Sequence, residues 1–307
     1  MSNRKFKLAR ANKRALNMKE EPTRGRWRRL LTLLGGAVFL LLLVIITLWI
    51  RLQRSIDFAP GFQSKDMAAA QYATRDVTGN LGGMPVTMPR HFAQYVEYDD
   101  DDPAWGEKRR TPRPTRTHLS RLRGFGFPVR YPDMAGESSP ELIANKKSHT
   151  IFNTPWIRVG ISTGADYPGH GFLDRRTHAE VEVPQLVLKY ANYEKLPKEQ
   201  YGLTVYAASG FDPANNKPYR EHPDADDIFI NRNQAGQVTT HIRCSNRKTL
   251  SAPCAHSFSL EPDIKAKVNV SYRRGMLTEW RSIQDKVSSL IRSFRSFPVE
   301  PKTISGN

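Results

Sequence analysis

The side chains best suited to chemistry are a histidine and an aspartate in the run GHGFLD. His170 and Asp174 have the H-x3-D spacing of the first zinc-ligand pair in one large class of cell-wall metallopeptidases. Those enzymes also need an H-x-H pair, and the chain contains none. Glycine and proline beside His170 disfavour a helix that would align further ligands. An envelope-acting hydrolase or transferase with a metal site near these two residues is therefore the alternative function, and we predict no bound metal and no cofactor.

A carboxylate pair, Asp224 and Asp226, matches the spacing that holds a divalent cation and a nucleotide sugar in many membrane-bound glycosyltransferases. The alternating strands and helices of a nucleotide-binding sheet are missing around this pair, so an exposed acidic turn explains it more simply. The chain also lacks a P-loop and an H-E-x-x-H motif. We therefore predict no catalytic residue, and an enzyme is the less favoured interpretation.

Cys244 and Cys254 are the only cysteines of the chain. In an oxidising compartment a pair that stands alone and close in sequence most simply forms a disulfide. A metal site would need further ligands, and His241 and His256 lie nearby in sequence. We predict the disulfide, which would act as a local staple because the loop it closes is short.

A basic stretch follows an acidic run at residues 99–102. Arginine makes planar, bidentate contacts with carboxylates, so this stretch fits an acidic surface on a partner protein. In the alternative interpretation, the arginines only neutralise the acidic run within the same lobe. The candidate partner-binding residues are Arg109, Arg110, Arg113, Arg116, Arg121, Arg123, Phe125 and Phe127.

An apolar run at residues 30–50 is the element that would fix the location of all these groups. A helix of this length spans about 31 Å, close to the hydrocarbon core of a bilayer. The preceding tail, residues 1–29, is strongly basic in a chain of net charge +17, and basic residues beside a first membrane helix stay in the cytoplasm. We predict a single-pass inner-membrane anchor with a cytoplasmic N-terminus and a periplasmic C-terminal domain. Topology and anionic lipid explain the basic tail without nucleic acid.

The chain after the anchor divides by composition into three parts. Residues 51–80 lack sustained periodicity and are predicted to form a stalk, and residues 81–178 are predicted to form a loop-rich lobe, because prolines interrupt that part. Residues 179–307 contain short alternating segments, which predict an antiparallel sheet, followed by an amphipathic helix over residues 275–297. The predicted fold class is therefore α+β. The predicted strands are 181–190, 202–209, 226–231, 238–244, 256–261 and 266–274.

Several runs of the exported part resemble those of a known group of proteins. They include GNLGGMPVTMPRHFAQYVEYD at residues 79–99 and RCSNRKTLSAPCAHSFSL at residues 243–260. These runs resemble a group of poorly characterised membrane-anchored periplasmic proteins of Gram-negative bacteria, associated with type VI secretion loci. The resemblance implies an accessory or immunity-type protein that binds another protein, such as a secreted effector. It implies no catalytic residues.

Overall fold

Strands in which buried and exposed side chains alternate are the main regular elements of the described residues; in one of them, Lys267–Arg273, every second residue is buried. The computed structural model describes residues 76–101 and 114–296. The strands are β1 (Val77–Leu81), β2 (Met84–Met88), β3 (Gln94–Tyr98), β4 (Leu122–Arg130), β5 (Ala135–Gly136), β6 (Trp156–Ser162), β7 (Tyr193–Lys195), β8 (Thr204–Ala208), β9 (Phe211–Asp212), β10 (Lys217–Pro218), β11 (Asp226–Arg232), β12 (Val238–Ser245), β13 (Pro253–Ser259) and β14 (Lys267–Arg273).

One antiparallel sheet of ten strands dominates the described residues. Its order is β3-β4-β6-β14-β13-β12-β11-β8-β7, and β5 pairs with the end of β4. β1 and β2 form a separate hairpin, as do β9 and β10. Because β6 pairs with β14, strands from the two halves of the chain lie side by side at the middle of the sheet.

Helices cover parts of both faces of this sheet. They are α1 (Pro140–Ser148), α2 (Phe172–Val181) and α3 (Trp280–Ser293), and a 3-10 helix, Arg274–Glu279, leads into α3. The buried stripe of α3 packs with the β1–β2 hairpin on one face, where it forms the main core. Backbone hydrogen bonds of 2.9 Å, from Thr87 to Phe294 and from Ser296 to Pro85, tie the hairpin to the end of this helix.

A polar network lies inside the main core, beneath α3. His256 is fully buried, and its Nε2 lies 3.0 Å from Oε1 of Gln284. Thr240 donates to the same oxygen at 2.8 Å, and the hydroxyl of Tyr272 lies 3.3 Å from Nδ1 of His256. The amide oxygen of Gln284 therefore accepts from both sides, and the network docks α3 in one register on the sheet.

α2 packs on the opposite face through a small apolar cluster and a polar layer. Arg176 donates to Glu180 at 2.8 Å and to Ser257 at 2.9 Å. Nε2 of the fully buried His241 lies 3.0 Å from Oε2 of Glu180, close enough for an ion pair but without the alignment of a hydrogen bond. Burial opposes ionisation of Glu180, but His241 and Arg176 outweigh it and lower the pKa of Glu180 to about 2.

The predicted α+β class, with a loop-rich lobe at residues 81–178, is wrong. The described part of the chain is mostly antiparallel sheet with few helices, and the predicted lobe supplies all of β2 to β6. Gly124, Gly126 and Pro128, residue types that are depleted in strands, all lie in β4. Pro128 is tolerated because β3 pairs with β4 only as far as Gly126, so no strand on that side needs the missing amide proton there.

Other expectations had mixed outcomes. β8 and β11 to β14 lie close to the predicted strands, and the C-terminal helix is present as α3. The predicted strand at residues 181–190 is wrong, because α2 ends at Val181 and a loop follows. The predicted membrane helix, residues 30–50, lies outside the described residues. Within residues 76–101 and 114–296, no helix combines the length and the apolar composition needed to cross a bilayer.

Candidate protein-binding surfaces

Two of the predicted partner-binding arginines contact the acidic run of the same chain. Arg116 pairs with Asp100 at 2.5 Å and with Asp101 at 2.6 Å, and its guanidinium lies 4.0 Å from the centre of the Tyr98 ring. Arg121 pairs with Asp99 at 3.0 Å. These contacts favour the alternative interpretation, in which the arginines neutralise the acidic run. Arg109, Arg110 and Arg113 lie outside the described residues.

The other three candidates are also engaged within the domain. Arg123 pairs with Asp166 at 2.9 Å. Phe125 and Phe127 are buried in the main core, where Phe127 packs edge-on against Phe294 of the C-terminal segment. The prediction that these two aromatic rings face a partner is therefore wrong, because the strand alternation turns both of them towards α3.

His170 and Asp174 line a cleft of about 690 Å³ at the start of α2. The helix begins only at Phe172, after Gly171 adopts a left-handed conformation with φ of 68°. His170 Nδ1 lies 2.7 Å from Glu261, and Asp174 accepts a 2.9 Å hydrogen bond from the backbone N–H of Val238. No group of three His, Cys, Asp or Glu residues suited to a metal ion occurs among the residues that the structure describes.

The carboxylates of the predicted acidic turn are paired. Asp224 contacts Arg247 at 2.8 Å, and Asp226 pairs with Arg243.

The predicted disulfide between Cys244 and Cys254 is present and joins residues directly opposite each other on β12 and β13.

Residues 160–164 read G-x-S-x-G, the pattern of a nucleophile elbow. In such an elbow the serine lies in a sharp turn between a strand and a helix. Here Ser162 is the last residue of β6 and pairs with Lys267 of β14, and only a three-residue 3-10 helix follows, Gly164–Asp166. The backbone geometry therefore differs from that of an elbow.

The loop at residues 182–192, between α2 and β7, exposes apolar side chains; we call it the apolar loop. Leu186 and Val187 at its tip are 81% and 88% exposed. Val183 and Leu188 beside them are about half exposed. Contiguous apolar side chains on a surface mark interaction sites more often than isolated ones do.

Asn192 holds the apolar loop in a defined conformation. Its Oδ1 accepts a 2.6 Å hydrogen bond from the N–H of Gln185, and its Nδ2 donates to the carbonyl of Gln185 at 3.0 Å and to that of Lys189 at 3.2 Å. The ring of Tyr190 stacks on His222 at a centroid distance of 4.2 Å. The Asn192 side chain therefore fixes the conformation of the loop, and the Tyr190 ring packs the loop against His222. The apolar tip is thus ordered and exposed.

The sequence interpretation missed this surface because the same residues alternate as a strand would. The signals that distinguish a loop are Pro184, which removes a backbone donor shortly after the end of α2, and Asn192, a residue type that hydrogen-bonds to nearby backbone groups.

Comparison with known proteins gave two distant structural similarities. No protein-family model and no curated protein sequence matches the chain. An immunity protein of the Stenotrophomonas maltophilia type IV secretion system has 19% identity and a TM-score of 0.46, covering 73% of this chain and 94% of that one. The Neisseria meningitidis iron-regulated outer membrane lipoprotein FrpD has 11% identity and a TM-score of 0.38, covering 74% of this chain and 94% of that one. The first of these belongs to a type IV system, whereas the sequence resemblance implied type VI loci.

Proposed function

We propose that this protein is a non-catalytic binding protein and that the apolar loop contacts its protein partner. The observation that carries the proposal is the ordered, solvent-exposed tip formed by Leu186 and Val187. Full burial of such a side chain in a partner contributes about 1.5–3 kcal/mol. Because Asn192 already fixes the loop, little conformational entropy is lost on binding.

The charge around the apolar loop favours a protein over a lipid surface. Loops and helices that bind anionic membranes surround their apolar residues with Lys and Arg. Here acidic and basic residues are balanced at the base of the loop, which suits the polar rim of a protein interface. The four charged residues are Glu182, Lys189, Glu194 and Lys195.

The specific form of the proposal, an accessory or immunity-type factor of a secretion locus, comes from the sequence resemblance. In that form the partner is a secreted effector, and the protein acts outside the cytoplasm. The disulfide between Cys244 and Cys254 supports an oxidising compartment. Co-expression of the chain with an effector from its own locus should restore growth of cells that the effector poisons.

The test is partner capture by variants of the apolar loop. The partner is first identified by co-purification with the tagged full-length chain from its own host, and affinity is then measured with both proteins purified. The double substitution Leu186→Ser and Val187→Ser should weaken binding at least tenfold and leave the melting temperature unchanged. Asn192→Ala should weaken binding less, because it disorders the loop without removing its apolar side chains.

Leu250→Ser is the matched control, since Leu250 is an apolar residue that is 75% exposed elsewhere on the surface. This control should bind the partner as the unmodified chain does. Equal affinity of the loop variant and the control would refute the apolar loop as a contact site.

A further inference from the structure

On one face of β4, β6, β14 and β13, glycine, alanine and serine occupy many positions between a few longer polar side chains; we call it the open sheet face. In the strand register, Gly124 lies opposite Ser162, Gly126 opposite Gly160, and Ser271 opposite Ala255. The small residues at these positions are Gly124, Gly126, Gly160, Ser162, Ser271 and Ala255. α1 reaches this face at Trp156 and α2 reaches it at Ser257, and Arg158 and Ala255 on the same face are exposed.

Two basic side chains stand on this face without acidic partners. Arg158 lies opposite Ser271, and Lys267 lies opposite Ser162. Within residues 76–101 and 114–296, neither one forms an ion pair. Burial, followed by the nearby positive charge of Arg176, lowers the pKa of Lys267. The ammonium group of Lys267 is thus partly desolvated and lacks a counter-charge in the described part of the chain.

Asn269, between these two cations on the same face, supplies further donors. Its Oδ1 accepts a 2.6 Å hydrogen bond from Ser257, which fixes the amide. Its Nδ2 has no acceptor in the part of the chain that the structure describes. The open sheet face therefore combines the two positive charges and the amide donor of Asn269, which lack partners among the described residues, with small residues around them.

We propose that the open sheet face binds an acidic, extended segment of a partner protein. Its carboxylates pair with Lys267 and Arg158, and its backbone crosses the sheet above Gly160. The inference rests on the proposed protein-binding function and adds the chemistry of the partner. Charge complementarity identifies the segment as acidic, because a partly desolvated lysine gains more from a carboxylate than a solvated one does.

The glycines of this face are not equivalent, and the difference gives the test. A Cβ at Gly126 would lie 3.0 Å from the carbonyl oxygen of Val159, and a Cβ at Gly124 would lie 3.1 Å from that of Ile161. Close strand approach therefore explains these two. A Cβ at Gly160 would meet nothing nearer than the carbonyl oxygen of Asn269, at 3.9 Å. A side chain at position 160 thus blocks the face without disturbing the sheet.

The experiment uses a fluorescent peptide of alternating Glu and Ser, and a matched peptide in which Gln replaces Glu. Anisotropy is measured with the full-length chain at low and at physiological salt. We expect the Glu peptide to bind and the Gln peptide not to bind. Lys267→Gln and Gly160→Tyr should each weaken binding at least tenfold, and Gly160→Tyr should leave the melting temperature unchanged or raise it, because tyrosine favours strands more than glycine does. Lys248→Gln, at an exposed lysine in the loop after β12, should change affinity less than twofold.

Three outcomes would each overturn the proposal. The Gly160→Tyr variant could bind the Glu peptide as tightly as the unmodified chain does, or Lys248→Gln could lose as much affinity as Lys267→Gln. The third is that the unmodified chain does not bind the Glu peptide. Binding that appears only when residues 102–113 are deleted would also overturn it, because the chain's own segment would then be the occupant. The apolar-loop variant should still bind the Glu peptide, so loss of partner capture in that variant tests the proposed function separately.

Discussion

The carboxylate of Asp227 is fully buried and accepts two hydrogen bonds from Arg220, each 3.1 Å long. Arg274, 47 residues further along the chain, pairs with the second oxygen of the same carboxylate. Arg274 also donates to the backbone carbonyl of Ser245 at 2.9 Å. One buried negative charge therefore holds together β11, the end of β12 and the 3-10 helix that precedes α3.

Asp227→Asn should destabilise the protein by about 3 kcal/mol, because it leaves two arginines beside a buried neutral group. Chemical unfolding measures this loss. Asp224→Asn is the control, since its pair with Arg247 is more than half exposed and should contribute well under about 1 kcal/mol. A similar loss in both variants would show that burial of Asp227 is not the cause.

The free energy of unfolding should fall as the pH drops from about 6.5 to about 4. Burial lowers the pKa of His256 to about 4, so in this range the unfolded chain binds a proton at His256 that the folded chain does not. The loss should reach about 3 kcal/mol and should be absent above pH 7. Denaturant unfolding at a series of pH values measures it.

His256→Gln should flatten this pH dependence while keeping a side chain that can bond to Gln284. A smaller slope should remain, because burial also lowers the pKa of His91. A further loss is expected between about pH 4.5 and 2, where Glu180 takes up a proton in the unfolded chain before it does in the folded one. An unchanged slope above pH 4.5 in His256→Gln would contradict the assignment.

Replacement of both cysteines by alanine should lower stability by no more than about 3 kcal/mol and preserve the fold, because Cys244 and Cys254 close a short loop between paired strands. Circular dichroism and thermal unfolding check both points. Thiol labelling of the unfolded, unreduced chain should detect no free thiol. Reactive thiols there would remove a support for the proposed exported location.

Arg116→Gln should destabilise the protein by about 1–2 kcal/mol, since Arg116 is only 18% exposed and joins two carboxylates to the Tyr98 ring. Arg121→Gln should change stability by less than about 0.5 kcal/mol, because its side chain is 68% exposed. Partner affinity should be unaffected by either substitution. Lost affinity with unchanged stability would restore Arg116 as a partner contact.

A reporter that is active only in the periplasm should be active when it is fused after Asn307. The expectation rests on the excess of basic residues in the tail at residues 1–29. Activity of a reporter that works only in the cytoplasm would contradict it.

The sequence predicted the strands of the second half because their two faces differ in polarity. In β14, Val268, Val270 and Tyr272 point to the core, while Lys267 and Asn269 point away. Strand β4 was harder to recognise, since one of its faces has glycine at two positions. There Phe125 and Phe127 alternate with Gly124 and Gly126, a pattern that propensities interpret as loop.

The candidate surfaces could not be predicted in the same way. The segment from Leu186 to Leu188 is apolar, and sequence patterns place apolar residues in a core. Its exposure depends on the Asn192 hydrogen bonds. The unpaired state of Lys267 likewise depends on which strands become neighbours, because β6 and β14 are far apart in sequence.

The pairing of β6 with β14 also affects the order in which the chain can fold. During synthesis, β6 is complete long before Lys267 of β14 is made. Until then, the edge of β6 that pairs with β14 and the apolar residues of β4 lack their final partners. An exposed strand edge is a template for aggregation. Chains that end before β14 would therefore be prone to aggregate. Nascent chains would depend on chaperones until β14 has been translated.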